Sequence, residues 1–188
     1  MIVSKTDLRA QLRTRRRELT LTRPEAAERA AAHLPDELLR AAKVVSGYHP
    51  LGGELDPWPL LRRLAGAGVL IVLPVALDRT SPLIFRAFRE GDPLQPDAVK
   101  IPSPTADAEA LVPDLIITPL LGFDRHGNRL GQGAGHYDRT LQDLRAKGRV
   151  WVVGLAYAGQ EVEDLPREPH DQPLDAILTE TGYRTVRS

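Results

Sequence analysis

Two β-branched, apolar runs, "DLIITP" at 114–119 and "VWVVGLAY" at 150–157, stand either side of the helical sequence "YDRTLQDLRAK". Runs that are apolar throughout belong to strands covered on both faces. Two such strands joined by a helix make a crossover unit of a parallel sheet. The same alternation continues elsewhere. Ser4-Lys5-Thr6-Asp7 has capping-box-like spacing and predicts a helix to about Leu19. Leu8, Leu12 and Leu19 share one stripe of it, and Lys5, Arg9 and Arg13 lie beside that stripe at i, i+4, i+8. Thr22-Arg23-Pro24-Glu25 repeats the start signal before the alanine-rich "EAAERAAAHL". Val44 to Tyr48 reads as a short buried strand, Pro57 to Ala65 as a helix, and "GVLIVLP", "PLIFRAF" and "LDAILTE" as further strands. The Pro- and Asp-rich sequence after "PLIFRAF" reads as loop. The expectation is an α/β fold: one domain over 1–188, with a mostly parallel central sheet flanked by helices.

Composition narrows the function. With 42% apolar residues in 188, a sizeable core can be buried. Twenty-five basic residues balance 25 acidic ones, which argues against a nucleic-acid or membrane-surface partner. The absence of cysteine excludes thiolate nucleophiles, disulfides and cysteine-based metal sites. No apolar run approaches the ~20 residues of a membrane helix, and "MIVSKTDLRAQL" lacks an apolar signal core. A cytoplasmic protein without a membrane partner is expected, and the size suits a monomer.

Chemistry concentrates in "RLGQGAGHYDR", residues 129–139, placed after the strand "DLIITP" and opening a helix. Glycines allow close approach to a ligand, and amides at a helix N-terminus favour an anion. The spacing matches neither G-x-G-x-x-G nor G-K-[ST], so spacing alone leaves a plain glycine-rich turn equally open. The flanks add weight to phosphate binding: Arg129 suits phosphate oxygens and Asp138 suits a cation. A second acidic stretch, Glu168-Pro169-His170-Asp171, offers Asp171 as a partner of Asp138 for Mg²⁺. Gly52-Gly53-Glu54-Leu55-Asp56 is a third candidate, equally readable as a turn before a helix cap.

Taken together, these segments resemble the 5-formyltetrahydrofolate cyclo-ligase family nearly end to end. The pattern F-D-x-x-G-x-R-L-G-x-G-x-G-x-Y-D-R is filled by Phe123, Asp124, Gly127, Arg129, Leu130, Gly131, Gly133, Gly135, Tyr137, Asp138 and Arg139. "KTDLRAQLRTRRREL", "GYHPLGGELD" and "VVGLAYAGQEVEDLPREPHDQPLDAILTE" appear in the family's order. The resemblance implies a fold similar to the sugar-phosphate isomerase and CoA-transferase group. It implies an enzyme with ATP as co-substrate, Mg²⁺ as cofactor and a reduced folate as substrate. It also implies site roles: Arg129 and Tyr137 catalytic; Lys5, Arg9 and the segment Arg129, Leu130, Gly131, Gln132, Gly133, Ala134, Gly135, His136, Tyr137 on ATP; His49 and Glu54 on the folate; Asp138 and Asp171 at the metal. Many relatives carry tyrosine or arginine at Gln132, glycine at Ala134 and tyrosine at His136. An isomerase- or transferase-like enzyme on the same fold, and a non-catalytic folate or nucleotide binder, are the alternatives.

Overall fold

Alternation with period two organises the sheet. The computed structural model describes residues 4–148 and 150–186. In chain order its elements are α1 (Lys5–Thr22), α2 (Ala26–Ala32), α3 (Asp36–Ala41), β1 (Val44–Ser46), α4 (Trp58–Gly66), β2 (Leu70–Val75) and β3 (Ile84–Ala87). There follow β4 (Leu94–Pro96), β5 (Pro102–Pro104), β6 (Leu115–Thr118), β7 (Gly122–Phe123), β8 (Arg129–Leu130) and α5 (His136–Lys147). The chain closes with β9 (Trp151–Leu155), β10 (Ala176–Thr179) and β11 (Gly182–Thr185). Seven strands form one sheet in the order β11-β10-β9-β6-β1-β2-β3. The five inner strands are parallel, and β3 and β11 run antiparallel at the edges.

Successive residues of the inner strands feed opposite layers. Leu115 and Ile117, Val153 and Leu155, and Ala176 and Leu178 pack with Leu60, Leu61 and Leu64 of α4 and Ala26 and Ala30 of α2. Between them Ile116, Val152 and Ile177 face the other way, toward Leu141 of α5. Strands β6 and β10 are buried at every position, as their apolar runs require.

The local signals hold at α1. Ser4 Oγ accepts the Asp7 N–H at 3.1 Å, and the helix runs three residues past Leu19. Leu12 and Leu8 pack against Leu121 and Leu130, whereas Leu19 reaches the α2–α4 layer. The second start signal is weaker than it reads. Helix α2 begins at Ala26, and no side chain caps it. Helix α3 and strands β4, β5, β7, β8 and β11 lie outside the sequence reading. Helix α3 has six residues and no side-chain cap. The β4–β5 hairpin lies in sequence read as loop, and β11 is a part-exposed edge strand. No helix among the described residues is long and apolar enough to cross a membrane.

Close packing leaves unequal room at the glycines. A Cβ at Gly154 on β9 would stand 2.7 Å from Leu174 and 2.8 Å from Leu120, whereas one at Gly66 in α4 would meet nothing within 4 Å. Gly154→Val should therefore lower stability by about 1–3 kcal/mol through overpacking. Gly66→Ala should raise it by about 0.5 kcal/mol by restricting the unfolded chain. Urea unfolding of both variants checks the opposite signs.

Candidate active site

The chain leaves β1 toward β2 on one side and β6 toward β9 on the other, so adjacent strands β1 and β6 mark a topological switch point. A crevice opens at the carboxyl ends of strands at such a point. Here Tyr48 and His49 follow β1, Pro119 and Leu120 follow β6, and all four line a cavity of about 380 Å³. Arg129 to Asp138 form one wall, Lys5 and Arg9 of α1 another, and Asp97, Val99 and Ile101 from the β4–β5 hairpin a third. Glu54, Glu168, His170 and Asp171 also line it. Every site residue expected from the sequence therefore borders one cavity.

The glycine segment leaves β8 and enters α5. Gly133 and Gly135 take φ of +106° and +71°, the left-handed region that strains any side chain. The amides of Gln132, Gly133, Ala134 and Gly135 find no acceptor among the described residues. Arg9 Nε donates to Gly131 O at 3.1 Å, and Arg13 Nε to Gln132 Oε1 at 3.0 Å. Arg129 is 5% exposed and pairs with Asp138 Oδ1 at 2.7 Å. Its guanidinium lies 5.8 Å from the centre of the Tyr137 ring, within range for a cation–π contact. Burial pulls the Arg129 pKa down, opposed by Asp138 and Tyr137; it remains a cation throughout the physiological range. Burial and the Glu54 charge hold the Tyr137 phenol well above its ordinary pKa, so it is a neutral donor. His136 Nε2 bonds to Asp78 O at 3.0 Å.

Acids and bases pair at the cavity mouth. Lys5 Nζ lies 2.9 Å from Asp171 Oδ2 and 3.2 Å from Glu168 Oε2. Partial burial pushes Asp171 up, but the Glu168 amide and Lys5 outweigh it, and its pKa lies below the ordinary value. Donor atoms of Glu168, His170 and Asp171 lie within 4.8 Å of one another and are able to hold a cation. Asp138, the other expected metal residue, stands apart from that group. Its Oδ1 already accepts from Arg129 and from the Gln172 amide at 3.0 Å.

At the far end, Glu54 Oε2 accepts the Leu51 N–H at 3.0 Å, and Oε1 lies 3.6 Å from Arg16 Nη1. Arg16 is 2% exposed and also donates to Leu120 O and Gly52 O. Sequence reading did not single out Arg16, which lies outside the Lys5, Arg9, Arg13 stripe. The signal for burial was its place one turn after Leu12, on the apolar stripe. His49 Nδ1 is buried without a partner among the described residues, and Tyr48, whose hydroxyl donates to Leu55 O, was not singled out from the sequence.

Burial raises the Glu54 pKa, opposed by the Leu51 amide and Arg16. An acid whose pKa rises on folding binds its proton more tightly in the native state. Stability then falls as pH rises from the unfolded toward the folded value. Wild type should accordingly lose stability relative to Glu54→Gln as pH climbs from the ordinary glutamate range toward neutrality. Denaturation midpoints of the two proteins against pH check this; parallel curves would contradict it.

A sequence profile of the 5-formyltetrahydrofolate cyclo-ligase family matches residues 1–180. The chain is 35% identical over 178 residues to the 5-formyltetrahydrofolate cyclo-ligase of Haemophilus influenzae, spanning 91% of this chain and 95% of that protein. Its similarity to the enzyme of the same name from Escherichia coli is 37% over 177 residues, 89% and 96% of the two chains. Among solved structures, Aquifex aeolicus 5,10-methenyltetrahydrofolate synthetase superposes with a TM-score of 0.79 at 29% identity, over 98% of this chain and 93% of that one. The chain with the switch-point crevice and the glycine wall belongs to the 5-formyltetrahydrofolate cyclo-ligase family of enzymes.

Proposed function

We propose that this chain converts 5-formyltetrahydrofolate to 5,10-methenyltetrahydrofolate, with ATP consumed and ADP and phosphate released. The observation that carries the reading is the run of amides from Gln132 to Gly135 without an acceptor among the described residues, beside buried Arg129, on the wall of the cavity. Phosphoryl transfer depends chiefly on positioning and on neutralising charge, and this wall is suited to both. The formyl oxygen on N5 attacks the γ-phosphorus, and the bond to ADP breaks. N10 then attacks the activated carbon and loses its proton, and the C–O bond to phosphate breaks.

In this reading the glycine segment with Arg129 takes the phosphates, and Lys5 and Arg9 approach from α1. Tyr137, held neutral, donates a hydrogen bond toward the reacting oxygens. His49 and Glu54 take the folate at the far end; a carboxylate suits the donor-bearing amide and amine edge of a pterin. Mg²⁺, when bound, would neutralise phosphate charge, and the carboxylates of Asp171 and Glu168 suit it. Asp138, whose Oδ1 pairs with Arg129, serves the metal directly through Oδ2 or through water. The substrates are small molecules, and a monomer in the cytoplasm suffices for the reaction.

Near-ultraviolet absorbance of the methenyl product, followed with 5-formyltetrahydrofolate, Mg²⁺ and ATP, tests the proposal. An ATP-dependent rise is expected; a flat trace from folded protein would overturn it. Lys5→Ala should raise the KM for ATP about tenfold, the scale of one charge-assisted contact. Asp138→Asn, which leaves Arg129 without its counter-charge, should keep the fold and lose most turnover. Circular dichroism beside the same assay separates the two effects.

A further inference from the structure

The glycine motif ends in Arg139. Arg139 lies on the first turn of α5, behind the glycine wall and outside the cavity lining. Its Nη2 donates to Ala134 O at 2.9 Å and to Arg79 O at 3.2 Å. A Cβ on Gly135 would come within 2.7 Å of its Nη1, so the guanidinium occupies the space that a side chain at 135 would need. No carboxylate among the described residues pairs with it, and its Nε is buried without a partner.

In a trans peptide the C=O of one residue and the N–H of the next point in opposite directions. All described peptides here are trans. Arg139 holds Ala134 O from outside the cavity lining, so the Gly135 N–H points away from Arg139. That amide lacks an acceptor among the described residues. The second carbonyl that Arg139 holds, Arg79 O, belongs to the turn between β2 and β3. Asp78 stiffens that turn by accepting from the Thr80 and Ser81 amides, and His136 also bonds to it. Arg139 thus ties the glycine segment to a rigid support, and its charge is not cancelled by an acid.

We propose that Arg139 is a positioning residue for phosphate binding. It fixes the 134–135 peptide with the Gly135 N–H directed at the nucleotide phosphates, and it touches neither substrate. The inference rests on the glycine segment being the ATP site.

Steady-state kinetics of Arg139→Ala and Arg139→Lys, with ATP and folate varied separately, test it. Arg139→Ala should raise the KM for ATP about tenfold, as expected for one misdirected charge-assisted contact. The KM for folate and the melting temperature should stay near wild type. Lysine, a compact and strongly hydrated point charge on a shorter stem, should restore only part of the loss. Millimolar guanidinium chloride, far below denaturing concentrations, should lower the KM for ATP of the alanine variant and leave wild type unchanged. An unchanged KM for ATP would overturn the proposal. So would a parallel loss in both KM values and in melting temperature without guanidinium rescue, because that describes a merely structural arginine. Wild type that turns over folate without ATP would instead overturn the underlying reading of the site.

Discussion

A guanidinium removed from water has to find its partners inside the protein, and Arg16 finds three. It joins α1 to Leu120 O after β6, to Gly52 O after β1, and to Glu54. Those contacts hold one helix across the switch point of the sheet. The same helix carries Lys5 and Arg9, about three and two turns earlier, to the cavity. Losing one partner of such a buried pair costs about 3–5 kcal/mol, because the other charge is left uncompensated. Arg16 therefore sets the relation between the two ends of the cavity, the glycine wall and the Glu54 turn.

At the glycine wall the arginines divide the work. Arg129 is inside, held by Asp138, and offers charge to a ligand. Arg9, on the cavity wall, and Arg139, outside the lining, bond to the carbonyls of Gly131 and Ala134. The departure at Gln132 fits this scheme. Its side chain is bound by Arg13 on α1, so a cation is still present where the residue itself is neutral. Ala134 contributes its carbonyl, a function that a methyl group leaves intact. At His136 the ring bonds to the β2–β3 turn, which makes the position part of the support of the loop.

The inner strands were readable because burial on both faces leaves little choice of residue: Leu115, Ile116 and Ile117 are apolar in both layers. Helix α1 was readable from its cap. Elements resting on tertiary contacts were not. Helix α3 is short and uncapped, and β11 is an exposed edge whose pairing comes from β10. The antiparallel direction of β3 follows from the short connection 76–83, which has no room for a crossover helix. For the site, the resemblance supplied the residues, and the cavity brings them together. Arg16 and the β4–β5 hairpin escaped notice because their roles come from neighbours distant in sequence, as does the commitment of Asp138 to Arg129.

In the proposed function the amides of Gln132, Gly133, Ala134 and Gly135 take the nucleotide phosphates. Backbone nitrogen–proton correlation spectra, recorded while a non-hydrolysable ATP analogue and Mg²⁺ are added, read those amides individually. Large downfield shifts are expected at these four residues, as each N–H takes a charged acceptor, with smaller changes along α4. Saturable binding that left these four signals in place while others moved would contradict that role.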